Sequence, residues 1–212
     1  MTSTNQVELI SYSGTDLTVV NAARVSYDAE SVSLGTSGDG DIQVPTLHYA
    51  DEKLIKYLAK HKHYSPFGHC FVSFRISCPI FVARQLSKHS FLRINEISRR
   101  YIKTDPEVFY PHWRSAIKDK KQGSGDPTDY ATQIVATAAY DLSMALSVRT
   151  YQQLLKIGIC EEQARACLPL ASMTKFIWSG SLDAMAKMCL LRCAPDTQEE
   201  TRIIANQISK VM

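Results

Sequence analysis

Apolar and polar residues alternate along residues 6–12 (QVELISY), the two-residue period of a half-buried strand. Thr15 or Asp16 then stands as the N-cap of a helical stretch, TDLTVVNAARVSY. YADEKLIKYLAKH predicts a second helix. HCFVSFRISC predicts a central strand, with Cys70, Val72, Phe74 and Ile76 on one face and Phe71, Ser73, Arg75 and Ser77 on the other. Pro79 is placed for the first turn of a helix, PIFVARQLSKHS, in which Val82 and Leu86 share a face. On its polar side Arg84 with Lys88, and Gln85 with His89, stand four residues apart as a basic stripe. The second half reads as a long helix up to Gly158, a short one (EEQARACL) stopped at Pro169, a strand (SMTKFIWSG) and two closing helices, LDAMAKMCLLRC and DTQEETRIIANQISKV. Residues 30–45 and 118–127, rich in glycine and small polar residues without periodicity, are predicted to be mobile loops. The mixture predicts a sheet covered by helices, of the α/β (α+β) class, in a single domain over residues 1–212; the topology stays open.

Composition narrows the class. A chain of 212 residues with 45% hydrophobic content fits one large core. No run approaches eighteen apolar residues and the N-terminus lacks a basic, apolar leader, which predicts a soluble protein of the cytoplasm without a membrane partner. The six cysteines (Cys70, Cys78, Cys160, Cys167, Cys189 and Cys193) lie in apolar segments and are predicted to be reduced, buried thiols. A pI near 8.5 is mildly basic, and the charge is not spread along helices or tails, which favours a small anionic ligand over a nucleic acid polymer.

That charge is local. Arg84, Lys88, Arg93, Arg99, Arg100 and Lys103 face the single carboxylate of Glu96, a surplus larger than the net +3 of the whole chain. Leu86, Phe91, Leu92, Ile94 and Ile97 are interleaved with them, so the segment is more than a solvated basic face. Partly buried arginines need partners. A bound phosphate would supply one, since guanidinium forks match its oxygens; carboxylates elsewhere in this chain or in a neighbouring subunit would supply another. The residues alone leave these two open. Nearby, His61, His63 and His69 match no zinc spacing, and no metal is predicted; His63 and His69 flank Pro66, as in a rigid turn leading into the strand.

Three stretches together resemble the flavin-dependent thymidylate synthases, the ThyX family: AARVS at 22–26, HYSPFGH with FRISCPIFVARQLSKHSFLRINEISRRY at 63–101, and ARACLPLASMTKFIWSGSLDAMAKMCLLR at 164–192. The family signature Arg-His-Arg-x-x-Ser-x-Asn-x-x-Ser-x-Arg, laid on residues 88–100, is met at His89, Asn95, Ser98 and Arg100 and missed at Lys88, Ser90 and Arg93. The resemblance implies a homotetramer with active sites at its interfaces. It implies transfer of a one-carbon unit from methylenetetrahydrofolate to carbon 5 of dUMP, with reduced FAD supplying the hydride that completes dTMP. It places Arg84, Gln85, Lys88, Glu96, Ser98, Arg99, Arg100, Arg165 and Arg192 on the nucleotide, Arg99 replacing a glycine often found there, and gives Arg192, Ser98 and His63 the catalytic roles.

For the flavin the resemblance implies Ser26, Ser65, His89 and Asn95. Gly68 stands where a glutamate is usual and Ser90 where an arginine is. Ser181, Asp183, Lys187 and Asp196 fall where relatives carry asparagine, arginine, asparagine and histidine. An aspartate in place of an arginine near a pyrophosphate turns attraction into repulsion, which predicts weakened FAD binding. Without a flavin hydride, the methylene intermediate would take water and give a hydroxymethyl nucleotide, with Cys167 as a candidate nucleophile toward carbon 6, although its setting favours a buried core thiol over that role. The competing reading is a non-catalytic nucleotide-binding relative that has lost the flavin.

Overall fold

The N-terminal alternation forms β1 (Gln6–Ser13), and Thr15, in extended backbone, caps α1 (Asp16–Arg24) in a capping box with Thr18. The computed structural model describes residues 5–38, 44–118 and 123–212. After a two-residue ladder between β2 (Thr36–Ser37) and β3 (Val44–Pro45) come α2 (Tyr49–Lys60), β4 (Phe71–Pro79), α3 (Ile80–Leu86) and β5 (Leu92–Glu96). The second half holds α4 (Tyr130–Lys156), α5 (Glu161–Ala164), β6 (Met173–Ser181), α6 (Leu182–Arg192) and α7 (Glu199–Val211). Short 3-10 turns at Ser65–His69 and Arg165–Cys167 lead into β4 and toward β6. No described helix is long and apolar enough to cross a membrane.

β1, β4, β6 and β5 form one sheet in that order, every pair antiparallel. The class is therefore α+β. The two faces of β4 separate as the alternation predicts: Val72, Phe74, Ile76 and Cys78 are buried with Phe176 and Trp178 beneath α3, α6 and α7, while Phe71 and Arg75 are exposed. Met185, Met188, Ile204 and Ile208 close this core from the helix side.

The helix after Pro79 is shorter than its sequence predicts. Pro79 is the N-cap rather than a first-turn residue, and the helix stops at Leu86, where the Ser87 hydroxyl turns back to donate to the Arg84 carbonyl. Lys88 and His89 consequently lie in a turn, and the basic stripe does not form. Phe91, at φ 65, reverses the chain into β5, a strand that the charge-dominated reading of this segment did not predict. β5 pairs with the end of β6, Leu92 opposite Gly180. A Cβ on Gly180 would run into Leu92 Cδ2 and come within 3.1 Å of the Phe91 carbonyl oxygen, so the close crossing requires glycine.

Two further expectations change. Cys160 is exposed, and Cys167 and Cys193 are only half-buried, so burial holds for Cys70, Cys78 and Cys189; all six thiols are free. The mobility expected for residues 30–45 and 118–127 falls partly on 39–43 and 119–122, outside the described residues. The flanks are tied: Leu34 donates to Thr46, and across the second loop Gly125 donates to the Ser115 carbonyl and Ser115 to the Asp126 carbonyl. Arg114 pins that loop to α7 through Glu199 (2.5 Å) and Glu200 (2.7 Å).

Gly180→Ala is expected to destabilise the protein by roughly 1–3 kcal/mol through overpacking against backbone. At Gly68 an added Cβ meets nothing nearer than Asp183 Oδ1 at 3.8 Å, so Gly68→Ala should be near neutral. Urea denaturation of the two variants checks the contrast.

Candidate functional site

The termination of α3, the reversal at Phe91 and the turn before β6 bring three cationic side chains around one cleft. Arg84 comes from α3, Arg99 from the turn after β5 and Arg165 from the 3-10 turn after α5; the cleft has a volume of about 520 Å³. Ile94, Ile97 and Leu168 give it apolar wall, and Glu96, Ser172 and Thr174 add polar groups. Among the described residues no carboxylate pairs with any of the three arginines. Arg99 donates to the Thr104 carbonyl and Arg165 Nε to the Glu162 carbonyl at 3.2 Å, which leaves most of both guanidinium forks uncommitted. Ser98 and Arg100 follow Ile97 in the same turn, the Ser98 hydroxyl accepting from the Arg100 backbone at 3.3 Å. Convergent, unpaired guanidinium groups in a partly apolar cleft suit an anion carrying a flat apolar body.

Glu96 accepts a 2.6 Å hydrogen bond from the Thr174 hydroxyl. The roles of Ser172 and Thr174 were missed from sequence, although a signal exists: they share the two-residue parity of the core residues Phe176 and Trp178, and a polar residue on a core parity calls for a partner.

The other residues assigned to the nucleotide do not line this cleft in the single chain. Gln85 accepts from the Thr201 hydroxyl on α7, and Lys88 is exposed in the turn after α3. Arg192, at the end of α6, donates its Nε–H to His89 Nε2 at 2.9 Å, and the His89 ring meets Trp178 edge-on. Cys167 turns toward α4, its sulfur against the Ala164 carbonyl at 3.2 Å and the Ser147 carbonyl at 3.7 Å.

A second cleft, about 930 Å³, joins the 3-10 turn before β4 to α1 and α2. It gathers Ser26, His63 and Ser65 with the rings of Tyr27 and Tyr57; His89 and Asn95 lie elsewhere. Cations at its margin are engaged. Arg24 pairs with the buried Asp51 at 2.5 Å, and Lys53 sits over the Tyr49 ring. Close to the same turn, Asp183 accepts from the Ser181 hydroxyl (2.5 Å) and from Lys187 (2.9 Å), and Lys187 lies over Tyr64. Burial works against the Asp183 carboxylate, but the Ser181 and Lys187 bonds outweigh it and hold its pKa below the usual range. Gly68 faces this group. Gly68, Ser181, Asp183 and Lys187 therefore lie together, as an acidic group neutralised by its own lysine. Hydroxyls and aromatic rings here suit a flat heterocycle and its sugar; a diphosphate would find the nearest ammonium already paired.

The His89–Arg192 contact requires a neutral imidazole with Nε2 unprotonated. Burial, and then the Arg192 charge, push the His89 pKa down. The unfolded chain therefore takes up a proton near pH 6.5 before the folded one does, so this contribution to stability is full above that pH and is lost as the pH falls below it. In His89→Gln, whose carbonyl oxygen can still accept from Arg192, the loss of stability between pH 7.5 and 5.5 should be smaller than in the wild type by urea denaturation; an equal loss would place the titration elsewhere.

Comparison with known proteins accords with this geometry. Residues 8–212 match the family model described as thymidylate synthase complementing protein. A flavin-dependent thymidylate synthase of Thermosipho melanesiensis is 34% identical over 97% of this chain and 84% of its own length, and one of Wolbachia pipientis wMel is 34% identical over 94% of this chain and 66% of its own. Among solved structures, the UMP/dUMP methylase PolB of Streptomyces cacaoi superimposes with a TM-score of 0.81 at 25% identity when bound with 5-Br UMP, covering 99% of this chain and 88% of that one. The complex with 5-Br dUMP gives 0.80 at 29% identity. With the match running through the arginine cleft and both flanks of the sheet, the chain belongs to the flavin-dependent thymidylate synthase family.

Proposed function

We propose that the protein transfers a one-carbon unit from methylenetetrahydrofolate to carbon 5 of a pyrimidine deoxynucleoside monophosphate, dUMP. The observation that carries this reading is the convergence of Arg84, Arg99 and Arg165, none paired with a carboxylate among the described residues, on one partly apolar cleft. A phosphate dianion satisfies such forks bidentately, and the apolar wall suits a pyrimidine ring. Membership of the family supports the reaction class, and the substrates named for PolB support a uracil nucleotide.

In the transfer the methylene carbon leaves the folate nitrogen and bonds to carbon 5, which gives up its proton. A reduced flavin, when bound, supplies the hydride that turns the methylene into the methyl of dTMP; with water instead, the product is the 5-hydroxymethyl nucleotide and no electrons are transferred. Ser26, Ser65, His89 and Asn95 are the residues proposed to hold the flavin, with His63 beside them; Arg192 and Ser98 belong to the nucleotide side. Because Lys187 is neutralised by Asp183, the flavin is held weakly at its diphosphate end.

Assembly completes the site in this reading. α4 is apolar on several sides, yet Val135, Leu142 and Leu146 are exposed, and a helix of that pattern is ordinarily covered. Arg192, His89 and Asn95 also stand outside the clefts they are proposed to serve, which a homotetramer with shared sites would correct.

Arg84→Ala and Arg165→Ala are each expected to weaken dUMP binding about 10- to 100-fold by calorimetry, the value of one charge-assisted contact. Wild-type affinity in both would remove the phosphate from this cleft. Asp183→Asn, which releases Lys187, should tighten FAD binding about tenfold or more in a fluorescence titration; weaker binding would show that Asp183 helps the flavin. Light scattering should give a tetramer, and a monomer with full nucleotide affinity would refute the shared site. Product analysis with labelled methylenetetrahydrofolate separates methyl from hydroxymethyl transfer, and no product at all favours a binding protein.

A further inference from the structure

Ser172 is 1% exposed, and its hydroxyl finds no hydrogen-bond partner, yet it lines the cleft that holds Arg84, Glu96 and Arg165. Its backbone is pinned on both sides. The N–H donates to the Pro169 carbonyl at 3.0 Å, and the carbonyl accepts from Ile80, the first residue of α3, at 3.0 Å. The side chain can rotate, but it cannot leave the floor of the cleft. A buried hydroxyl without a partner carries a desolvation penalty, and a ligand group that reaches it removes that penalty.

We propose that Ser172 is a specificity-determining residue that pairs with the 2′-hydroxyl of a ribonucleotide, so that the cleft accepts UMP as well as dUMP; this rests on the nucleotide reading above. The floor presents two groups of matching chemistry. One is the Glu96 carboxylate, which takes the Thr174 hydroxyl on Oε1 and keeps Oε2 without a partner among the described residues. The other is the Ser172 hydroxyl, two positions before Thr174 and roughly 6–7 Å from it along an extended chain. A ribose offers two adjacent hydroxyls and bridges such a pair, one to an acceptor and one to a group that donates or accepts. A deoxyribose offers one hydroxyl and leaves Ser172 alone. Thr174 does not relieve Ser172, because its own hydroxyl is committed to Glu96. The base and the phosphate are common to both nucleotides, so a contact with either would leave sugar discrimination untouched.

Calorimetry with UMP and dUMP as probes, on the wild type and Ser172→Ala, decides the matter. The wild type is expected to bind both. In Ser172→Ala the ratio of UMP affinity to dUMP affinity should fall about five- to tenfold, the worth of one buried hydrogen bond. An unchanged ratio overturns the proposal, whether both affinities fall together, as for a contact to base or phosphate, or neither moves, as for a hydroxyl held by a buried water. A wild type that binds dUMP but not UMP overturns it while leaving the nucleotide reading intact; one that binds neither overturns both. The substitution removes an unpaired polar atom and adds no volume, so the melting temperature of Ser172→Ala should not fall below that of the wild type, which separates loss of discrimination from loss of fold.

Discussion

The two-residue period of β6 is the constraint on which the site depends. On the parity that faces the helices stand Ser172, Thr174, Phe176, Trp178 and Gly180. The first two form the polar floor of the arginine cleft, the next two fill the core, and the last lets β5 cross close enough to pair. A slip of one residue would turn all of them to the open face at once. Antiparallel pairing to β4 along nine residues, from Phe71 opposite Ser181 to Pro79 opposite Met173, fixes the register. The same register delivers Ile80 beside Ser172, so the start of α3, and Arg84 with it, is placed by the strand that carries the floor.

With the floor fixed, charge decides what the cleft is for. Arg84, Arg99 and Arg165 come from three separate segments, and they are held by carbonyl contacts and packing rather than by carboxylates. Like charges brought together without counter-charges oppose folding, and the opposition is relieved only when an anion binds. An anion that saturates the cleft would therefore also stabilise the fold, by an amount that grows with its concentration over its dissociation constant. Among the described residues the basic segment is not a set of internal salt bridges, and Arg84, Lys88, Arg93, Arg100 and Lys103 are exposed, as on a solvated face, with Arg99 half-buried. Among the described residues Lys103 alone of its cations finds a carboxylate, Glu161, and it does so at the surface.

The sequence made the regular elements legible wherever one period dominated. β4 and β6 follow their alternation, β1 follows it as far as Leu9, where the register shifts before Ser11 and Ile10 is exposed, Thr15 caps α1, and Gly158 follows α4. β5 was hidden because its apolar residues, Leu92 and Ile94, are outnumbered by polar neighbours that face a ligand cleft and solvent instead of a core. α3 was overextended because residues 87–90 are not helix breakers; what stops the helix is a side-chain bond from Ser87 and a reversal demanded by the pairing with Gly180, a residue nearly a hundred positions away. The arginine, serine and histidine positions could be named from their resemblance to a family pattern. Which of them meet within one chain could not, since Gln85 and Arg192 are turned by partners, Thr201 and His89, that no local pattern announces.

The two clefts treat charge in opposite ways. An anion entering the arginine cleft meets guanidinium groups that have no carboxylate partner among the described residues. A diphosphate approaching Lys187 must compete with Asp183, whose side chain is 19% exposed and whose second oxygen is already bonded to Ser181. An exposed ion pair is worth about 0–1 kcal/mol, but this one has one partner mostly buried, and separating it would leave a carboxylate with poor access to water. Gly68 offers no side chain that could take over the lysine or screen the aspartate. On the proposed reading the nucleotide cleft fills first, and the flavin cleft fills only when the rest of that ligand, its rings and sugar against Tyr27, Tyr57, Ser26 and Ser65, contributes enough to offset the ion pair.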